Sequence, residues 1–122
     1  MKFHLQPLDA NVVTGTGPGW VRVGAEEYRE GLVLLPDNVI KGWAPAGIDA
    51  LTADDFAALL PHKPEIVLLG TGASQRFLHP RILAPLTDAR VGVETMDTRA
   101  ACRTFNILVA EGRRVLAAVV VG

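Results

Sequence analysis

The stretch that most constrains the fold is residues 64–73, which read PEIVLLGTGA. Four consecutive apolar residues, 66–69, follow a proline–glutamate pair and end at Gly70-Thr71-Gly72. A short apolar run bounded by proline and glycine is typical of a strand that is buried on both faces. Two glycines around a threonine allow a sharp turn with uncovered backbone N–H groups, which often hold phosphates or carboxylates. The stretch therefore predicts a central strand that leads into a candidate anion pocket.

Composition limits the classes of protein to consider. The chain has 122 residues, of which 49% are apolar, so residues 1–122 are expected to form a single domain with a core of ordinary size. The net charge is −1 and no block of like charge occurs, so we expect no nucleic-acid partner and no anionic membrane surface. The longest apolar run, 115–121, is too short for a membrane span, so no membrane insertion is expected.

Cysteine and histidine usage indicates the compartment and argues against a metal centre. The single cysteine, Cys102, excludes an internal disulfide and a cysteine-rich zinc site. The N-terminal residues show neither an apolar signal-peptide core nor a mitochondrial transit peptide, so we expect a cytoplasmic protein. His4, His62 and His79 are scattered along the chain, so we expect no metal site and no cofactor.

Turn residues and apolar periodicity predict the elements in order. Residues 1–19 are predicted to be irregular, because TGTGPG at 14–19 is a dense turn signal. Thr52 and Asp55 have the spacing of a capping box and predict the first helix. Asp97-Thr98 caps a stronger helix over 99–110, and a short helix is expected from Pro80. Strands are predicted at 20–23, 28–35, 39–43, 65–69, 91–95 and 115–121.

This order of strands and helices places the chain in the α/β class with a mixed sheet. The valine-rich strand 115–121 is expected inside the sheet and not at its edge. If strands 65–69 and 91–95 are parallel neighbours, their carboxyl ends open side by side, where ligands of such sheets collect. Residues 70–72 and 95–98 would then line one site.

Several short motifs resemble a known family. The succession includes Pro36, Trp43, Leu51-Thr52, Pro64-Glu65 before GTG, VETMDT at 93–98, ACRTFN at 101–106 and EGR at 111–113. Over roughly residues 20–122 it resembles a small family of uncharacterised α/β proteins. The eukaryotic members of that family include an assembly factor of mitochondrial respiratory complex I and a protein linked to adipogenesis. The resemblance implies a single three-layer α/β domain with a mixed, mostly parallel sheet whose last strand is antiparallel to the others. It also implies a soluble protein and, for most members, no established activity.

The candidate ligand site is built around the GTG turn. Its glycine N–H groups, threonine hydroxyls and nearby arginines, together with the N-terminus of the helix after residue 98, suit a small anion. The residues assigned to ligand binding are Gly70, Thr71, Gly72, Arg76, Thr95, Thr98 and Arg99. The alternative is that the glycines only turn the chain. The turn is neither a P-loop nor a GxGxxG fingerprint, because no Gly-Lys-Ser/Thr follows and Gln75 stands in place of the third glycine.

Three further residues have two interpretations each. Cys102 lies near a helix N-terminus beside Arg99 and Arg103, so it is a weak catalytic candidate, but a free cysteine is more often a small buried hydrophobe. Asn106 is in mid-helix, where its amide needs a tertiary partner, either the GTG turn or a ligand. Trp43 lies either in the core, which is the favoured interpretation, or at its rim.

The sequence supports two candidate functions. The favoured hypothesis is a non-catalytic binding or assembly-factor-like module with a protein partner, which includes a role in respiratory complex assembly. The alternative is an enzyme or sensor that binds a small anionic ligand in the crevice at 70–72. The sequence offers no acid, base and nucleophile set at suitable spacing.

Overall fold

The computed structural model describes residues 10–122, and residues 1–9, which include His4, lie outside the described part of the chain. The described residues form two β-sheets and three α-helices. The strands are β1 Val13–Gly17, β2 Trp20–Val23, β3 Glu26–Tyr28, β4 Leu32–Leu35, β5 Asn38–Lys41, β6 Ile66–Gly70, β7 Gly92–Met96 and β8 Val115–Val119. The helices are α1 Ala53–Ala57, α2 Pro80–Asp88 and α3 Thr98–Ala110.

The larger sheet is mixed and has the order β5-β4-β8-β6-β7. As predicted, β6 and β7 are parallel neighbours, and β8 lies at the centre with all of its residues buried. The expectation that the last strand is antiparallel to the others is wrong, because β8 runs parallel to β6 and β7 and the strand that opposes its neighbours is β4. The connections explain this: α3 carries the chain from β7 back to the start of β8, whereas a tight turn at Pro36-Asp37 reverses it between β4 and β5.

The smaller sheet is antiparallel, with the order β1-β2-β3. The expectation that residues 1–19 are irregular is wrong for Val13–Gly17, which form β1. Its glycines leave room for Trp20 and Arg22: a Cβ on Gly17 would lie 2.3 Å from the indole Nε1, and one on Gly15 would lie 2.7 Å from the Arg22 guanidinium and 3.3 Å from the Trp20 ring. Gly15 and Gly17 resemble turn residues in the sequence, but in the structure their lack of side chains leaves space for the Trp20 ring.

Gly31 divides what the sequence suggested was one long strand. The chain ends β3 at Tyr28 and begins β4 at Leu32, so the two halves of 28–35 belong to different sheets. At Gly31 a Cβ would fall 1.9 Å from the Trp43 carbonyl oxygen, and the Gly31 carbonyl accepts the Trp43 N–H at 3.1 Å. Only glycine permits this approach of two backbones.

The core has two parts, one on each face of the larger sheet. Successive side chains of a strand point to opposite faces, so Val115, Ala117 and Val119 pack toward α3 and the smaller sheet, while Leu116 and Ala118 pack toward α1 and α2. Trp43 is buried in the second part, as predicted, edge-on to Phe56 with ring centroids 5.4 Å apart. The central sheet therefore lies between two layers, and the smaller sheet extends the layer that contains α3.

Capping residues place the helix ends close to their predicted positions. The Thr52 N–H donates to the Asp55 carboxylate at 2.8 Å, which confirms the capping box at α1. The Asp97 carboxylate accepts the Ala100 N–H at 2.9 Å and starts α3 directly after β7. This sets the N-terminus of α3 against the carboxyl ends of β6 and β7. No helix within residues 10–122 has the length and apolar character needed to cross a membrane.

Candidate functional site

The carboxyl ends of β6 and β7 meet as the sequence predicted. The Thr71 N–H donates to the Met96 carbonyl at 2.9 Å, and the Thr98 N–H donates to the Gly72 carbonyl at 2.9 Å. Gly72 has a φ of 99°, a conformation that favours glycine. The GTG turn and residues 95–98 therefore form one junction, which we call the strand-end junction.

The hydroxyl of Thr98 lies at the centre of this junction. It accepts the Gly72 N–H at 2.9 Å and donates to the Val120 carbonyl at 2.6 Å, and the residue is only 7% exposed. One side chain thus joins the end of β6, the start of α3 and the segment after β8. The Gly72 N–H and the Thr98 hydroxyl, which the sequence predicted to bind a ligand, are therefore already hydrogen-bonded within the chain.

Gly70 is the point of closest packing in the junction. A Cβ at this position would lie 2.7 Å from Val119 Cγ1 and 3.1 Å from Thr98 Cα. The Gly70 carbonyl accepts the Val120 N–H at 3.0 Å. The absence of a side chain at Gly70 therefore lets α3 approach the central strands, and its assignment to ligand binding stays a prediction.

Thr71 fixes the loop that follows the turn. Its hydroxyl donates to the Ser74 carbonyl at 2.7 Å and accepts the Arg76 N–H at 3.0 Å. The Arg76 guanidinium pairs with the exposed Asp49 carboxylate, and the Thr95 carbonyl accepts the Gln75 side-chain amide at 2.8 Å. The Arg76 guanidinium and the Thr95 carbonyl are thus already paired with groups of the chain itself.

A groove with a volume of about 910 Å³ opens beside the junction. The predicted site residues Gly72, Thr98 and Arg99 line it. The other lining residues are Thr16, Gly17, Pro18, Gly19, Ala73, Asp97, Ala100, Arg103, Val120, Val121 and Gly122. The structure therefore separates the predicted residues into three at the groove and four, Gly70, Thr71, Arg76 and Thr95, that do not line it.

Cys102 lies on the buried side of α3, at 2% exposure. Burial raises the pKa of its thiol to about 12, so the thiol is protonated near neutral pH. The interpretation of Cys102 as a small buried hydrophobe is confirmed, and the hypothesis of a lowered pKa is wrong. The nearby arginines do not lower this pKa, because both are exposed to solvent and burial of the thiol is the cause of the shift.

Asn106 has the tertiary partner that its position in mid-helix required. Its Oδ1 accepts the Val13 N–H and its Nδ2 donates to the Val13 carbonyl, both at 2.8 Å. The specific expectation that Asn106 holds the GTG turn is wrong, because its partner is β1. The amide ties the smaller sheet to α3, 93 residues away along the chain.

The two described histidines have separate surroundings. His79 Nδ1 accepts the Arg81 N–H at 3.0 Å and caps α2, while His62 ends a short 3₁₀ turn, Leu60–His62. Within residues 10–122, no three side chains among His, Cys, Asp and Glu are grouped so that they could hold a metal ion.

Sequence reasoning did not assign Arg103 to the ligand site, and it missed two distant segments of the groove. Arg103 follows Arg99 by four residues, and this spacing on a helix indicates a shared face. Residues 16–19 and 120–122 carry no comparable local signal, because only the tertiary fold brings them to α3.

Comparisons with known proteins agree with this fold. The chain is 39% identical over 83 residues to the mouse protein named NADH dehydrogenase (ubiquinone) 1 alpha subcomplex assembly factor 3, which covers 66% of this chain and 44% of that relative. The chain thus spans less than half the length of that relative. It is 34% identical over 108 residues to an uncharacterised protein of Rhodobacter capsulatus, which covers 87% of this chain and 81% of that protein.

The fold of this chain is also similar to that of a solved protein structure. The crystal structure of a Bordetella parapertussis protein has 38% sequence identity and a TM-score of 0.84, and covers 95% of this chain and 100% of that one. The resemblance drawn from the short motifs is therefore confirmed. Because residues 13–120 match the family described as "Protein of unknown function (DUF498/DUF598)", the chain belongs to that family.

Proposed function

We propose that this chain is a protein-binding module that assists the assembly of a multi-subunit complex and catalyses no reaction itself. The observation that carries the proposal is the bonding of the Thr98 hydroxyl between Gly72 and Val120. This bonding ties the GTG turn, the start of α3 and the segment after β8 together. The groove beside this junction, which includes the exposed Arg99 and Arg103, is the binding surface in this proposal.

The named relatives support this function and suggest which complex is involved. The mouse relative is named an assembly factor of NADH dehydrogenase. A shared fold alone does not determine function, so the role in respiratory complex assembly comes to this chain as part of the proposal. We propose that the chain acts in the cytoplasm on subunits of a respiratory NADH dehydrogenase.

A deletion strain of the source organism tests this proposal. We expect the amount of assembled NADH dehydrogenase in its membranes, measured on native gels and by NADH oxidation, to fall several-fold and to recover when the gene is returned. Succinate dehydrogenase activity is the control and should not change. Equal amounts of assembled NADH dehydrogenase in the deletion and parent strains would contradict the proposal.

A second proposal is that the same groove holds a small anionic ligand. Its volume of about 910 Å³ is within the range of small-molecule sites, and Arg99 and Arg103 supply positive charge. A thermal-shift screen should include nucleotides, sugar phosphates, coenzyme A, carboxylates and phosphate. A ligand at one hundred times its Kd adds about 2.7 kcal/mol, which raises the Tm by several degrees. A flat screen, or a shift that persists in the R99A/R103A variant, would contradict this proposal.

A further inference from the structure

The groove beside α3 is built from four separate parts of the chain. The end of β1 and the turn after it supply residues 16–19, the GTG turn supplies 72–73, the start of α3 supplies 97–100 and 103, and the segment after β8 supplies 120–122. Backbone pairing holds Thr16 and Gly17, and the Thr98 hydroxyl bonds Gly72 and Val120. This part of the groove is therefore preformed, which lowers the entropic cost of binding.

The charged side chains that line this groove carry a net charge of +1, although the chain as a whole has a net charge of −1. Its charged side chains are Arg99, Arg103 and Asp97, and the Asp97 carboxylate is bonded to the Ala100 N–H. The ion pairs found within residues 10–122 involve Arg29, Arg76, Arg113 and Arg114, and neither groove arginine. Two exposed cations therefore face an open groove and favour an anionic partner.

The position of Arg99 is unfavourable for the helix itself. Arg99 is the second residue of α3, where the helix dipole places partial positive charge, so a cation in this first turn destabilises the helix. Arg103 follows one turn later, where the effect of the dipole has decayed. Residues that break a local rule without structural gain are expected where a surface serves function.

The spacing of the two arginines selects the conformation of the partner. Residues four apart on a helix are separated by about 6 Å along its axis. Side chains two residues apart on an extended chain lie on the same side, about 6.6–6.8 Å from each other. Carboxylates at alternate positions of an extended segment therefore match Arg99 and Arg103, and adjacent carboxylates do not, since they point to opposite sides.

The remaining lining favours a polypeptide over a free anion. Pro18, Val120 and Val121 add apolar surface to the groove. A small anion such as phosphate would leave this surface in contact with water. The apolar side chains of a longer polypeptide would cover it, and the burial of this apolar area would favour binding.

We infer that the groove binds an extended acidic segment of a partner protein, with carboxylates at alternate positions paired to Arg99 and Arg103. This inference rests on the proposed function, because it names the surface and the partner chemistry of the same binding module. Arginine and carboxylate form paired, charge-assisted hydrogen bonds, which add geometric selectivity.

Fluorescence anisotropy with a labelled hexapeptide of alternating glutamate and valine tests the inference. The first variant is R99E/R103E, which should fold well because glutamate suits the N-terminal turns of a helix. The matched control is K41E/R81E, which makes the same change of net charge at two exposed residues outside the groove. A second peptide has the same composition with its three glutamates contiguous.

We expect the alternating peptide to bind the wild-type protein and to lose at least tenfold in affinity in R99E/R103E. The control variant should stay within about twofold, and the contiguous peptide should bind several-fold more weakly than the alternating one. Equal losses in both variants, equal binding of both peptides, or no binding to the wild-type protein would overturn the inference. Glutarate or phosphate that binds as tightly as the peptide, and with the same dependence on the arginines, would reassign the groove to a small anion.

The deletion strain separates the two proposals. If R99E/R103E restores assembled NADH dehydrogenase as well as the wild-type gene does, the assembly function stands and the groove inference fails. If the alternating peptide binds as expected but deletion leaves the enzyme unaffected, the groove inference stands and the assembly function fails.

Discussion

The side-chain amide of Asn106 bonds both the N–H and the carbonyl of Val13, each at 2.8 Å. Asparagine has a donor and an acceptor side by side, as a backbone unit of a neighbouring strand has. Asn106 therefore takes the place of a strand partner at the start of β1, where the pairing with β2 is irregular between Val13 and Gly15. This contact connects the smaller sheet to the helix of the larger one.

Replacement of Asn106 should weaken that connection. We expect Asn106→Ala to lower the free energy of unfolding by roughly 1–3 kcal/mol, because two partly buried backbone groups lose their partner. Urea unfolding measures the change, and amide hydrogen exchange should be faster at Val13. Asn38→Ala is the control, since its side chain bonds only the neighbouring Val39 N–H on the exposed surface. No change at Val13 would contradict the prediction.

Thr98→Val tests the hydroxyl at the strand-end junction. Valine has nearly the same shape but leaves the buried Gly72 N–H and the Val120 carbonyl unpaired. We expect a loss of about 2 kcal/mol in the free energy of unfolding. Thr87→Val, in which an exposed helical threonine loses only a local contact to Ala84, should stay near wild type. Equal stability of the two variants would show that the junction does not depend on this hydroxyl.

Two glycines on neighbouring strands should respond differently to alanine. At Gly70 the new methyl would meet Val119 and Thr98 at 2.7–3.1 Å, so we expect a loss of about 1–3 kcal/mol. At Gly92 the nearest atom is 3.6 Å away, so alanine should be neutral or slightly stabilising. Thermal unfolding of both variants measures this difference. A Gly70→Ala protein as stable as Gly92→Ala would contradict the packing role of Gly70.

Cys102 should be unreactive in the folded protein. Because burial raises the pKa of its thiol to about 12, a disulfide reagent at pH 8 should modify it at less than about a tenth of the rate found in denaturant. The raised pKa also predicts a pH effect: the stabilising contribution is complete below the ordinary thiol pKa of 9.0 and is lost as pH rises toward 12. Cys102→Ala should lack this alkaline loss. Rapid modification of the folded protein would contradict the prediction.

Glu65 should contribute stability that is lost in acid. Its carboxylate accepts the Arg114 N–H at 2.9 Å and pairs with Arg113 at 3.3 Å, and the backbone hydrogen bond is the largest cause that lowers its pKa. A lowered pKa in the folded state gives a contribution that is present above the ordinary value of 4.5 and disappears as pH falls through the lowered pKa. The Tm difference between wild type and Glu65→Gln should therefore be larger at pH 7 than at pH 3. A difference independent of pH would contradict the assignment.

Local signals explain the parts of the fold that the sequence predicted. The run at 66–69, the capping residues Thr52 and Asp97, and the valine-rich strand 115–119 are each determined by neighbours within a few residues. The meeting of the GTG turn with residues 95–98 followed from the parallel order of β6 and β7.

The parts that were missed depend on residues distant in sequence. Gly15 and Gly17 resemble turn residues until Trp20 is seen to lie over them, and Asn106 shows that it needs a partner without showing that the partner is Val13. The groove joins residues 16–19 to 120–122, which no local pattern connects. The direction of β8 depends on how α3 crosses the sheet.

The central position of β8 also determines the order in which the chain can fold. β4 and β6 both pair with β8 and not with each other, and β8 is the last strand along the described residues. Without β8, the β4–β5 hairpin and the β6–β7 pair have no strand that joins them, and each would have an open edge. The hydrophobic core closes only when β8 enters between them, which predicts slow folding dominated by distant contacts.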